Sequence, residues 1–111
     1  MKEIKSEKDY REQISQDQIS VGVFTTTWCP DCKRLSMFID EIIDENQDKQ
    51  WFKIDSDDFP EISEAQQVMG IPSLLVFKNG EKLAHLHSAN AKTPEQVQEF
   101  FSNLQISSNK N

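Results

Sequence analysis

Residues 19–33 run Ile19-Ser20-Val21-Gly22-Val23-Phe24-Thr25-Thr26-Thr27-Trp28-Cys29-Pro30-Asp31-Cys32-Lys33. Val, Phe and Thr dominate the first nine positions, and β-branched and aromatic side chains suit a strand buried on at least one face. That strand is expected to be central. Leu35, Met37, Phe38, Ile39, Ile42 and Ile43 then recur at helical spacing, which predicts a long helix beginning at the two cysteines. A strand feeding directly into a helix is the opening of a strand-helix-strand crossover, the unit that builds parallel pairing.

On the N-terminal side, Tyr10 and Ile14 lie four apart in a polar segment that follows Ser6, predicting a short amphipathic helix with Ser6 at its cap. On the C-terminal side, residues 51–54 read as a second strand, ending in Asp55, Asp57 and Asp58. Ile62, Ala65, Gln66 and Met69 predict a helix over 61–69 stopped by Gly70. Residues 73–77 read as a strand, and Asn79-Gly80 is a strong hairpin signal that sets residues 83–87 antiparallel to it. Thr93, Pro94 and Gln96 form a cap, first-turn proline and capping-box partner, with Val97, Phe100, Phe101 and Leu104 as the apolar face. Residues from about 106 onward read as a frayed tail. The element order implies an α/β fold, a mixed sheet flanked by helices on both faces. With no repeat, linker or low-complexity tract, the expectation is one domain over residues 1–111.

Length and composition bound the function. A chain of 111 residues supports one core and is too short for two. The formal charge is -7, from 19 acidic and 12 basic residues, so the overall field repels polyphosphate and nucleic acid is not an expected partner. The acidity serves solubility, with steering toward a basic protein as the minor alternative. No run approaches the roughly 18 apolar residues of a membrane span. Residues 1–20 lack the apolar core and cleavage site of a secretory signal, so a mature, cytoplasmic protein is expected.

The chemistry falls at the strand-to-helix junction. A Cys-x-x-Cys pair whose first sulfur sits at a helix N-terminus places that thiol beside unpaired N–H groups and the positive end of the helix dipole, which favour thiolate. Cys29 is therefore the expected nucleophile and is expected to be exposed. Pro30 fits the first turn, where its missing N–H has no intrahelical partner. Cys32, one turn along and expected to lie deeper, resolves the mixed disulfide that Cys29 forms. Other readings are weaker. His85 and His87 complete a zinc site only at a spacing unlike the common zinc modules, so no metal is expected. A structural disulfide does not suit a reducing compartment. Two inert buried thiols do not suit a helix start between Trp28 and Lys33.

Trp28-Cys29-Pro30-Asp31-Cys32-Lys33, with Gly70-Ile71-Pro72-Ser73-Leu74-Leu75-Val76-Phe77-Lys78-Asn79-Gly80-Glu81 downstream, resembles the thioredoxin family over residues 19–104. The Pro-Asp centre resembles the thioredoxin-related proteins that carry W-C-P-D-C. The resemblance implies a thioredoxin fold and a cis Ile71-Pro72 bond facing the cysteines. It implies that Ile71 offers its main chain to an extended substrate, that Met69 and Gly70 shape the approach, and that Trp28, Pro30, Asp31, Ile71 and Pro72 line the substrate site. The implied activity is reduction of protein disulfides, or of protein mixed disulfides with low-molecular-weight thiols. Electrons would come from an NADPH-dependent thioredoxin reductase. The chain has no nucleotide fingerprint and is expected to need no cofactor of its own and to act as a monomer. The alternatives are a dedicated donor to one enzyme and a non-catalytic binding module.

Departures from the family pattern matter as much. The buried aspartate expected six positions before Cys29 is Val23, and the buried lysine of the second strand is Trp51. Acid and base are lost together, which avoids a lone buried charge. Another group or water must then take the Cys32 proton. The glycine expected after the last strand is Ser88, implying a differently shaped groove. Asp31 opposes the neighbouring thiolate while favouring the helix start, two small effects of opposite sign. His87 falls at the strand end expected to approach the active surface.

Overall fold

The computed structural model describes residues 1–104. Its elements are β1 (Lys2–Glu3), α1 (Glu7–Ile14), β2 (Ser20–Thr25), α2 (Pro30–Ser36), α3 (Ile39–Glu45), β3 (Gln50–Asp55), α4 (Pro60–Ala65), β4 (Ser73–Lys78), β5 (Glu81–Leu86) and α5 (Pro94–Ser102). The strands form one five-stranded sheet in the order β1-β3-β2-β4-β5. β2 and β3 pair parallel, as do β1 and β3, while β4 runs antiparallel to both β2 and β5. The sheet is therefore mixed, as the element order implied.

Helices cover both faces, and alternation along the strands divides the core accordingly. Val21, Val23, Trp51, Leu74 and Val76 turn toward α2, α3 and α5, meeting Leu35, Ile39, Ile42, Val97 and Phe101. Phe24, Phe52, Ile54, Leu75 and Phe77 turn the other way, toward Tyr10 and Ile14 of α1 and Ile62 of α4. Burial on both faces explains why these strands read as continuous apolar runs. Gly22 serves the second cluster, because a Cβ there would stand 2.4 Å from Phe52 Cζ.

Local chemistry fixes the element ends. Ser6 accepts the Asp9 N–H at the start of α1, and Thr93 and Gln96 complete the reciprocal capping box of α5. Asn79 (φ 54°) and Gly80 (φ 84°) are both left-handed, as a two-residue hairpin turn requires.

Four features differ from the sequence expectation. β1 was not anticipated, since a two-residue charged edge strand carries no periodicity. The long helix is broken into α2 and α3. Ser36 Oγ donates to the Lys33 carbonyl at 2.6 Å, and the Met37 N–H turns instead to Arg34 O at 3.1 Å. The chain tightens there and packs Phe38 against the core. α4 ends at Ala65, well before Gly70. Gln67 takes the left-handed position (φ 63°), with Val68 N–H bonded to Ser63 O at 2.9 Å and Gln67 N–H to Glu64 O at 3.0 Å. This is a Schellman motif built on glutamine rather than glycine. β5 ends at Leu86, with a register irregularity opposite Val76 and Phe77, so His87 lies beyond it. The tail expected from about residue 106 lies outside the described residues.

No helix among the described residues is long and apolar enough to cross a membrane. Thr25 and Asp55 stand in register at the ends of β2 and β3, and Ser73, at the start of β4, pairs with Phe24. One edge of the sheet thus launches the loops that carry the cysteines, the acidic segment and Pro72.

Candidate active site

Cys29 is the N-cap of α2, with extended backbone (φ -84°, ψ 119°), and its Sγ accepts the Cys32 N–H at 3.2 Å. The sulfur thus takes the capping place usually held by a hydroxyl or carboxylate oxygen, satisfying an otherwise orphan donor. Pro30 occupies the first turn. The Ile71-Pro72 bond is cis, and the Cys29 thiol points at Ile71 O, 3.7 Å away. Sequence-distant Ile71 and Pro72 are thereby brought against the cysteine pair. Ser73 Oγ donates to Gly70 O at 2.6 Å and tightens that loop.

The cysteines are not graded in depth as expected. Cys29 is 4% and Cys32 6% exposed, and both are free thiols. The expectation of an exposed first sulfur overlooked the Ile71 main chain packed over it. Burial pushes the Cys32 thiol up to about 12, helped by its contact with Cys29, while a hydrogen bond from the Thr26 backbone acts in the opposite direction. Cys32 is therefore a neutral thiol near pH 7 and must surrender a proton before it can attack.

The family's buried acid and base are replaced by packing. Val23 and Trp51 sit in the same apolar cluster as Leu35 of α2, and Trp51 Nε1 donates to Asn46 O at 3.1 Å. No ionisable side chain stands at either position.

Around the cysteines the surface is polar and charged. Trp28 is 64% exposed rather than packed into the core, and its Nε1 donates to Asp57 Oδ2 at 2.7 Å. Asp55 Oδ1 accepts the Asp57 N–H at 2.8 Å and so shapes that loop. Asp31 is held by Lys92 Nζ at 2.8 Å and Arg34 at 3.3 Å. Hydrogen bonding from Lys92 holds the Asp31 carboxyl below the usual carboxylate range. Met69, 88% exposed, flanks the Ile71 loop. A Cβ on Gly70 would stand 2.4 Å from Ser88 Oγ, so the bare backbone of Gly70 makes room for the Ser88 side chain.

His87 does not join the cysteines. Its ring stacks on His85 at 3.9 Å, and His85 Nδ1 lies 3.1 Å from Lys82 Nζ, which also donates to Gln66 O. Burial, together with His87 and Lys82, lowers His85 to about 4. Among the described residues no three His, Cys, Asp or Glu side chains gather as metal ligands. The two cysteines and two histidines do not gather into one cluster.

Asp57, Lys92 and Thr26 were missed as site residues. Asp57 belongs to an acidic segment visible in the sequence, but its pairing with Trp28 spans 29 positions. Lys92 reaches Asp31 across 61 positions, and no local pattern signals it.

A dithiol capping a helix, faced by a cis-proline main chain at the edge of a mixed sheet, defines a thiol-disulfide exchange site. The thioredoxin family model matches residues 2–103, and the chain belongs to that family. It is 30% identical over 90 residues to mitochondrial thioredoxin-2 of Schizosaccharomyces pombe, covering 81% of this chain and 68% of the relative. It is 29% identical over 95 residues to thioredoxin-1 of Saccharomyces cerevisiae, covering 86% and 92%. The solved structure of Plasmodium falciparum thioredoxin superposes with a TM-score of 0.78 at 28% identity, covering 91% of this chain and 99% of that one. The protein is a thiol-disulfide oxidoreductase with a thioredoxin fold.

Proposed function

We propose that this single-domain protein reduces disulfides in other proteins, or between proteins and low-molecular-weight thiols, with Cys29 as nucleophile and Cys32 as resolving thiol. The Cys29 thiolate attacks one sulfur of the substrate disulfide, forming a mixed disulfide and expelling the other sulfur as thiolate. Cys32 loses its proton and attacks Cys29 Sγ, the second substrate thiolate leaves and is protonated, and the pair ends as a Cys29-Cys32 disulfide. The observation that carries this assignment is Cys29 Sγ at the helix start, accepting the Cys32 N–H while facing Ile71 O. The Ile71 main chain then offers an edge to an extended substrate segment, with Trp28, Pro30, Asp31 and Pro72 beside it. Disulfide-containing proteins are the substrates, an NADPH-dependent thioredoxin reductase returns the electrons, and the protein acts as a monomer in the cytoplasm.

A Cys32→Ser variant tests the roles. Incubated with insulin, it should accumulate a mixed disulfide on Cys29, while the wild-type protein turns over with thioredoxin reductase and NADPH. No adduct on Cys29 together with no NADPH consumption by wild type would reject the assignment.

A further inference from the structure

Beside α2, a cleft of about 300 Å³ opens between the helix and the ends of β1, β2 and β3. Cys32 forms part of its wall, with Thr26, Asp55, Lys53, Glu3 and Lys33. Its volume admits several waters, at about 30 Å³ each. Thr26 is only 6% exposed, and its Oγ1 has no hydrogen-bond partner within the protein. A cleft of this size lined by polar and charged side chains has room and partners for water, and Cys32 stands in its wall.

Two carboxylates border this cleft, and the sheet distinguishes them. Asp55 is the register partner of Thr25, on the strand directly beside β2. Glu3 lies on β1, one strand further out and level with Lys53, about 4.8 Å farther across the sheet. Asp55 is half-buried, whereas Glu3 is exposed. The charged groups facing the cleft are then Glu3 from β1, Lys53 and Asp55 from β3, and Lys33 from α2. None of them is paired in a salt bridge among the described residues.

We infer that Asp55 accepts the Cys32 proton through water in this cleft, doing from the side what a carboxylate at position 23 would do from beneath. As Cys32 Sγ bonds to Cys29 Sγ, its proton passes through water to the Asp55 carboxylate, and from there to solvent. Lys33 and Lys53 line the same cleft as that carboxylate. This role rests on the reading of Cys32 as the resolving thiol.

The test uses the reduced full-length protein and dithio-bis-nitrobenzoate, whose released thiolate is coloured. Attack by Cys29 releases the first coloured thiolate, and resolution by Cys32 releases the second. Asp55→Asn keeps the acceptor oxygen that binds the Asp57 N–H but removes the base. It should slow the second phase about a hundredfold near pH 7, the low side of a general-base contribution, without slowing the first. Added imidazole should restore the second phase, and the deficit should close as pH rises toward the ionisation of Cys32. Glu3→Gln should leave both phases as in wild type. An unchanged or faster second phase in Asp55→Asn, an equal slowing of both phases, or a deficit in Glu3→Gln instead would overturn the role of Asp55. Retention of the second phase in Cys32→Ser would instead reject the resolving role of Cys32, independently of Asp55.

Discussion

Val23→Asp returns a carboxyl to the site beneath α2 and asks what the apolar replacement achieves. Val23 is 2% exposed and packs in the cluster that holds Leu35, Trp51 and Leu74. A carboxyl placed in such surroundings has its ionisation raised by about 3–5 units when no partner reaches it. At 1.36 kcal/mol per unit, that is roughly 4–7 kcal/mol once the folded carboxyl has ionised, of which about 4 kcal/mol is reached by pH 7. Lys53, the register partner of Val23, is the cation best placed to offset part of this cost. The net loss should therefore be a few kcal/mol, a large part of the usual 5–15 kcal/mol stability of a domain. The sign follows from linkage. The folded ionisation lies above the unfolded value near 3.9, so the penalty is absent below that pH. It grows at up to 1.36 kcal/mol per pH unit until the folded carboxyl ionises. Urea unfolding of wild type and variant from pH 4 to 8 reads this directly. Adding Trp51→Lys should give a double variant less destabilised than the sum of the single changes, because a base then stands on the neighbouring strand. A Val23→Asp variant as stable as wild type at every pH, or strictly additive single changes, would refute the view that acid and base were lost as a pair.

The raised ionisation of Cys32 predicts that the reduced protein loses stability between about pH 8.5, where an unfolded thiol ionises, and about 12. Below that window the contribution is fully present, and Cys32→Ser should flatten the decline in alkaline urea titrations. Lys92→Met should leave Asp31 with Arg34 as its one remaining cation, slowing alkylation of Cys29 by about twofold at low salt and less at high salt. Asp31→Asn in the same chain should cancel that effect, which kinetics at two ionic strengths will show. Gly22→Ala drives a Cβ to 2.4 Å from the fully buried Phe52 and should cost about 1–3 kcal/mol in chemical denaturation, with Phe52→Leu recovering part.

Much of this fold was legible because the decisive signals are local. The apolar runs of β2 and β4, the Asn79-Gly80 turn and the Thr93-Pro94-Gln96 cap each act within a few residues, and each stands where expected. The cysteine pair and the cis bond at Pro72 were equally legible through the W-C-P-D-C and Ile-Pro-Ser motifs. The misses have a common physical origin in competition among neighbours. Ser36 diverted a carbonyl and split a helix whose apolar spacing ran on, and a Schellman turn at Gln67 ended α4 before the expected glycine. In the site, pairing across the sheet edge was invisible. Trp28 with Asp57, Asp31 with Lys92, and the cleft joining Cys32 to Asp55 all depend on residues far apart in sequence. The equal burial of the two sulfurs was hidden for the same reason, since Ile71 arrives from another loop.

The division of labour between the sulfurs is tested most directly by timed alkylation of the reduced protein at neutral pH, with each cysteine followed by peptide mass spectrometry. Label should enter Cys29 faster than it enters free cysteine in solution, while Cys32 stays unmodified over the same interval. Label entering Cys32 first, or entering Cys29 no faster than free cysteine, would contradict the account.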